Sequence, residues 1–186
     1  MNLYALCDQD LLDSRGISLE EYINIAKENK AEIIQYRNKT ADITFIKQQL
    51  IKIRKIYDGF LIVNDAYELV EYCDGVHVGQ EDLHAIDKDI FKAVKILRSV
   101  IGKDKILGIS THNEAEVLQA NEMDLNYIGL GAYRDTTTKD VANNLGDSLD
   151  KIASKSKHFV AAIGGVKLND KFSNVRYHVI GSGLLN

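Results

Sequence analysis

FLIVNDAYELVEYCDGVHVGQEDL, running from Phe60 to Leu83, is the stretch that decides the fold. An apolar run ends in Asn64-Asp65, and a short helical segment follows. A second apolar run, Gly75 to Val78, ends in Gly79-Gln80-Glu81-Asp82. Two strands joined by a helical crossover lie parallel, so their C-terminal ends come side by side. Asp65 and Asp82 then face one mouth, with the Asn64 amide beside them. Two neighbouring carboxylates form the protein's share of a site for a hard divalent cation such as Mg²⁺.

The same alternation extends in both directions. Apolar runs at Leu3–Cys7, Ala31–Tyr36, Lys105–Ile109, Leu125–Leu130, Phe159–Ile163 and Arg176–Ile180 read as further strands. Between them, Ser18-Leu-Glu-Glu21 has the form of a capping box that opens a helix. Asp42 is placed to cap another helix, whose buried face reads Phe45, Ile46, Leu50, Ile53, Ile56 and Tyr57. Asp89 to Val100, Glu114 to Asn121 (capped by Asn113) and Leu145 to Lys157 complete the helices, while Asp8 to Gly16 reads as a polar loop. The strands are continuous apolar runs, as expected when both faces are buried. Strict strand–helix alternation implies a parallel sheet. Eight such units predict a compact (β/α)8 TIM barrel in a single domain over residues 1–186, with an open doubly wound sheet as the alternative.

The chain is short for a barrel, for which about 250 residues is typical. Only ten residues separate Gly165 from Arg176, so helix seven is degenerate, and no helix eight follows the last strand before Asn186. The missing helix predicts an apolar strip outside strands seven, eight and one. Either a second copy covers it, giving a homo-oligomer such as a dimer, or local segments do.

Composition narrows the function. A net charge of −4 and a pI near 5.7 offer no basic surface to nucleic acid. No apolar run approaches the ~20 residues of a membrane span, and the N-terminus lacks a basic leader. Cys7 and Cys73 have no metal-type spacing and read as reduced thiols of a cytoplasmic protein. Proline is absent, so turns fall to Gly, Asn and Asp.

In a parallel barrel, chemistry sits at the C-terminal strand ends. Those positions hold Gln35, Arg37 and Lys39; Asn64 and Asp65; Gln80 and Asp82; Ser110 and His112; Thr136, Thr138 and Lys139; Gly164 and Gly165; Gly181 and Ser182. Cations, two carboxylates, hydroxyls and glycine loops with free backbone N–H groups suit a phosphate- or pyrophosphate-handling enzyme. Taken singly, each has a plainer reading. Arg37 and Lys39 suit a solvated surface, Asp65 a helix cap, Asp82 a turn cap, His77 a packed core, and Phe60 and the tyrosines a barrel wall. Their joint occurrence at strand ends favours a site.

The series Gln35-x-Arg37-x-Lys39, Asn64-Asp65, Gly79-Gln80-Glu81-Asp82, Gly108-Ile-Ser110, Thr136-x-Thr138-Lys139 and Ala162-Ile-Gly-Gly165 resembles the thiamine phosphate synthase family. The resemblance implies a Mg²⁺-dependent transferase that condenses hydroxymethylpyrimidine diphosphate with thiazole phosphate, through a pyrimidine carbocation formed as pyrophosphate departs. It implies Asp65 and Asp82 as Mg²⁺ ligands. It places Gln35, Arg37, Lys39, Asn64, Ser110 and Lys139 on the pyrimidine diphosphate. Among these, Arg37, Lys39, Ser110 and Lys139 are the catalytic candidates. Thr136, Thr138, Gly165, Gly181 and Ser182 fall on the thiazole phosphate. Ala132, Tyr133, Arg134 and Asp135 stand where the family has a proline-rich loop. A related thiazole tautomerase, which relies on a histidine near the end of strand five where this chain has His112, is one alternative. A barrel that binds thiamine precursors without turnover is another.

Overall fold

The computed structural model describes residues 2–135 and 144–185. Eight parallel strands close into a barrel in sequence order: β1 (Asn2–Asp8), β2 (Ile33–Arg37), β3 (Phe60–Asn64), β4 (Gly75–Val78), β5 (Ile106–Thr111), β6 (Tyr127–Leu130), β7 (Phe159–Ala162) and β8 (Tyr177–Ile180). β1 pairs with both β2 and β8, which completes the ring. Closure answers the choice between barrel and open sheet.

Helices α1 (Gln9–Arg15) and α2 (Leu19–Glu28) follow β1, and α3 (Ile43–Ile56) follows β2. A 3₁₀ segment, Tyr67–Tyr72, links β3 to β4. Next come α4 (Gln80–Ile86) and α5 (Ile90–Ile101), then α6 (Glu114–Ala120), then α7 (Ser148–Ala153), the last shorter than the expected Leu145–Lys157. The predicted caps are present: Ser18 Oγ accepts from Glu21 N at 3.2 Å, Asp42 from Phe45 N at 2.8 Å, and Asn113 from Glu116 N at 2.9 Å. Residues 9–15, expected as loop, are helical instead. The Asp8 carboxylate caps them through Leu11 N at 3.1 Å, and Gly16, at φ 64°, closes them in the left-handed conformation. On α3, Ile46, Leu50 and Ile53 are buried as expected, but Phe45 is 38% exposed. Phe60 is 52% exposed, because as the first residue of its strand it lies on the barrel's lower rim, below the packed interior.

No α-helix links β7 to β8, and only a short 3₁₀ turn, Ser182–Leu184, follows β8 among the described residues. The predicted exposed strip is nevertheless absent. Outward-facing Val160, Ala162, His178, Ile180, Leu3, Ala5 and Cys7 are all buried within the chain. Val166, Phe172, Val175 and Leu184 pack over them. Phe172 sits edge-on to both Tyr133 and His178, with ring centroids 5.0 and 5.1 Å away. The strip therefore gives no reason to expect a partner subunit.

Polar anchors hold this cover in place. Asp150 on α7 accepts from Ser173 N and Asn174 N at 3.0 and 2.9 Å. Arg134, from the segment after β6, grips Asp170 with two N–H donors at 2.6 and 2.7 Å and also donates to Gly165 O at 2.8 Å. The guanidinium beside it holds the Asp170 carboxyl below the usual carboxylate range. Asp170→Ala removes both forked bonds and the acceptor for Lys167 N. The expected result is a melting midpoint lower by roughly 2–6 °C, read by thermal unfolding. An unchanged midpoint would mean that the aromatic cover alone holds the segment.

Candidate active site

Alternation along each strand sends every second side chain into the barrel. Tyr4, Ile33, Ile62, Tyr127, Ala161 and Val179 pack together there and floor the interior. One step nearer the C-terminal rim, the same periodicity brings in Asp8, Gln35, Arg37, Asn64, His77 and Ser110. Register sets neighbours on adjacent strands: Asp8 opposite Arg37, Asn64 opposite His77, and His77 opposite Gly108.

Asp65 lies one residue past β3 at φ 61°, a left-handed conformation that aspartate tolerates better than most side chains. It caps no helix. Its Oδ1 accepts from Gly79 N at 3.1 Å, so the loop after β4 fixes its direction. Asn64 Nδ2 donates to Oδ2 of the same carboxylate. Asp82 sits in the first turn of α4, of which Gly79 is the N-cap, so it caps nothing either. The Lys39 ammonium bridges the two carboxylates, bonding Asp65 Oδ2 closely and Asp82 Oδ2 at 3.3 Å. Burial pulls the Lys39 pKa down, but the two carboxylates outweigh it and leave the pKa raised.

A cation already rests where the sequence predicts one. The donor set suits a hard divalent ion, and no cluster of three or more His, Cys, Asp or Glu side chains exists among the described residues to complete a cage. Water and a ligand's oxygens would have to fill the remaining positions, which is how Mg²⁺ is commonly held.

Arg37 forms a half-buried ion pair with Asp8, its register partner on β1. Gln35 Nε2 donates to Asn64 Oδ1 at 2.6 Å, and Gln80 Nε2 donates to Ser110 O at 2.6 Å. The structure thus brings Gln35, Lys39, Asn64, Asp65 and Asp82 into direct contact. Ser110 joins them through residues that sequence reasoning assigned to the wall. Its Oγ lies 3.0 Å from His77 Nε2, His77 Nδ1 lies 2.9 Å from the Tyr127 hydroxyl, and that hydroxyl lies 2.8 Å from Tyr4, which donates to Gln35 Oε1 at 2.7 Å. His77 is buried as expected, but both ring nitrogens are engaged. Burial raises the pKa of both phenols, so they stay protonated at neutral pH. Asp8, Tyr4, Tyr127 and His77 are the functional neighbours that sequence reasoning missed. Asp8 had a signal, being a carboxylate at a strand's end like Asp65.

Thr136, Thr138 and Lys139 lie outside the described residues. Gly165, Gly181 and Ser182 stand after β7 and β8, across the rim from the carboxylates. Gly164 and Gly165 have φ of 86° and 66°, and added Cβ atoms would approach Ala132 Cβ to 2.6 Å and Arg134 Cβ to 2.7 Å. Loop packing therefore demands this pair whether or not a phosphate binds. At Gly181 a Cβ would meet nothing nearer than 3.7 Å, so space does not require glycine there. His112, exposed at the end of β5, bonds Glu116 through its backbone N–H at 2.8 Å and its ring at 3.0 Å.

Known proteins resemble this chain in sequence and fold. A family model described as thiamine monophosphate synthase matches residues 3–180. The chain is 33% identical over 172 residues to a thiamine-phosphate synthase of Persephonella marina, covering 89% of this chain and 77% of that one. It is 36% identical over 173 residues to one of Lawsonia intracellularis, covering 89% and 75%. Among solved structures, a thiamine phosphate pyrophosphorylase from Pyrococcus furiosus superposes with a TM-score of 0.76 at 25% identity, covering 97% of this chain and 85% of the other. An N-acetylmannosamine-6-phosphate 2-epimerase from Clostridium perfringens shares the fold, with a TM-score of 0.65 at 12% identity over 98% and 87% of the two chains.

Proposed function

The chain belongs to the thiamine monophosphate synthase family and carries thiamine-phosphate synthase function, and from that premise we propose how its residues divide the work. A pyrimidine diphosphate and a thiazole phosphate condense, with pyrophosphate as the leaving group. The single observation that carries this reading is the Lys39 ammonium held between Asp65 and Asp82. Asp65 and Asp82 would hold Mg²⁺, which when bound neutralises charge on the diphosphate oxygens. Lys39 exchanges its carboxylates for those oxygens, and Arg37 stands beside it on the rim. Lys139 is assigned to the same group. Gln35 and Asn64, locked to each other, orient the pyrimidine. Thr136, Thr138, Gly165, Gly181 and Ser182 are assigned to the thiazole phosphate.

No general base is needed, because the thiazole nitrogen attacks with its own lone pair. The site has two tasks: to stabilise charge on the departing pyrophosphate and to align the two substrates. The charges drawn to one side of the rim supply the first. The second falls to residues on opposite sides of the rim, after β3–β4 and after β7–β8.

A second reading draws on His112, whose ring is held by Glu116 in the manner of an acid–base residue. It corresponds to the tautomerase. The assay that separates the readings mixes the purified protein with both substrates and Mg²⁺ and follows thiamine phosphate and pyrophosphate. The expected result is equal amounts of the two products, strictly dependent on Mg²⁺. Isomerisation of a thiazole phosphate without condensation would establish the tautomerase instead. Binding of either precursor with no reaction would establish a binding barrel.

A further inference from the structure

The hydrogen bonds that cross the barrel interior run in one direction, and from that direction we infer that Ser110 meets the substrate as a hydrogen-bond acceptor, reading an N–H donor on the pyrimidine and not the diphosphate. The inference rests on the synthase reading for its substrate, and on chemistry alone for its direction.

The argument starts at Asp65, whose carboxylate only accepts. The Asn64 atom facing it is therefore the amide nitrogen, which leaves Asn64 Oδ1 to accept from Gln35 Nε2 at 2.6 Å. Gln35 Oε1 then faces Tyr4, so the Tyr4 proton is committed to it at 2.7 Å. Tyr4 has no second proton, so Tyr127 must donate across the 2.8 Å between the two hydroxyls. The Tyr127 oxygen in turn accepts from His77 Nδ1 at 2.9 Å. In the neutral imidazole this places the one ring proton on Nδ1 and leaves Nε2 as an acceptor, so the Ser110 hydroxyl proton points to it at 3.0 Å. One carboxylate thus fixes two amides, two phenols and the tautomer of a histidine.

The ring cannot evade this by turning. It stacks on Tyr127 at 5.5 Å between centroids, and Gly129 lies so close that a Cβ there would come within 3.1 Å of His77 Cε1. With its proton spent inward, Ser110 Oγ offers only lone pairs to the barrel mouth. Phosphate oxygens are acceptors too and are repelled there. An exocyclic amino group on the pyrimidine is the complementary partner. Leaving that acceptor unpaired against a ring lacking the donor costs about 1.4–2.8 kcal/mol, a discrimination of about 10–100-fold. His77, Tyr127 and Tyr4 act as positioning residues, through Ser110.

Two measurements on the chain of residues 1–186 test this. The first is ¹⁵N imidazole NMR without ligand, in which His77 should carry its proton on Nδ1, and Tyr127→Phe, which removes the acceptor, should weaken that preference. A proton on Nε2 in the unaltered chain would overturn the directed relay. The second compares kcat/KM for pyrimidine diphosphates with and without the ring amino group. The unaltered enzyme should favour the amino form by 10–100-fold, and Ser110→Ala should lose most of that preference. A preference undiminished in Ser110→Ala, or in Ser110→Cys should the alanine variant fold poorly, would overturn the assignment. Turnover of neither pyrimidine would refute the synthase reading itself, while the NMR result would still decide the relay.

Discussion

Asp82→Ala is expected to reduce Mg²⁺-dependent turnover by about 10³-fold and to leave the melting midpoint where it was. The separation of the two effects follows from where Asp82 sits. Its side chain is 41% exposed, and its ion pair among the described residues goes to a similarly exposed lysine. Gly79 forms the N-cap of α4 with no side-chain help, so the helix does not rely on the carboxylate to start. An exposed pair of this kind contributes little to stability. The catalytic loss is large because the described residues bring no third carboxylate or imidazole to take over. Steady-state rates across a Mg²⁺ titration, paired with a thermal melt, read both halves. A variant that unfolds would make Asp82 structural, and one that keeps its rate would remove it from the metal site.

Lys39→Ala is expected to move two quantities in opposite directions. The ammonium now competes with any cation for Asp65 and Asp82, so removing it should tighten Mg²⁺ binding to the free protein by about tenfold. The same change removes a positive charge from the departing pyrophosphate and should lower kcat/KM for the pyrimidine diphosphate by about 10²-fold. Calorimetric titration with Mg²⁺ alone gives the first number, and initial rates give the second. Weaker Mg²⁺ binding in the variant would mean that Lys39 shapes the carboxylate pair and does not compete for it.

How legible this was in the sequence differs from one part to the next. The barrel could be read because parallel strands bury both faces and leave unbroken apolar runs, of which Phe60–Asn64 and Gly75–Val78 are the clearest. Strand ends then located Gln35, Asn64, Asp65 and Asp82 without further help. The α1 helix was hidden because Gln9 to Arg15 is polar on most sides, burying only Leu12, and periodicity had little to work with. Phe45 and Phe60 misled for the converse reason, since a large apolar side chain near an element's start can remain in water. The interior relay was illegible because Tyr4, His77 and Tyr127 each look like wall residues. Only closure of the barrel brings polar atoms from β1, β4 and β6, which are not neighbours, together across the interior. The cover over β7, β8 and β1 was illegible as well, because residues 166–175 do it with one aromatic and a few scattered aliphatics and no helical pattern.

The backbone at Asp65 has a consequence for how this site can drift over generations. The left-handed turn there favours glycine, asparagine and aspartate, while the proposed metal needs a carboxylate. Aspartate alone among those three carries the charge, and glutamate, which also carries it, would strain the turn and reach too far. Neighbouring positions have synonyms: a lysine can approximate an arginine, or a threonine a serine. Position 65 has none, so a lineage that loses this residue has no neutral detour back to the same chemistry. The residue's identity is thereby held by geometry and charge together, each excluding the substitutes that the other would accept.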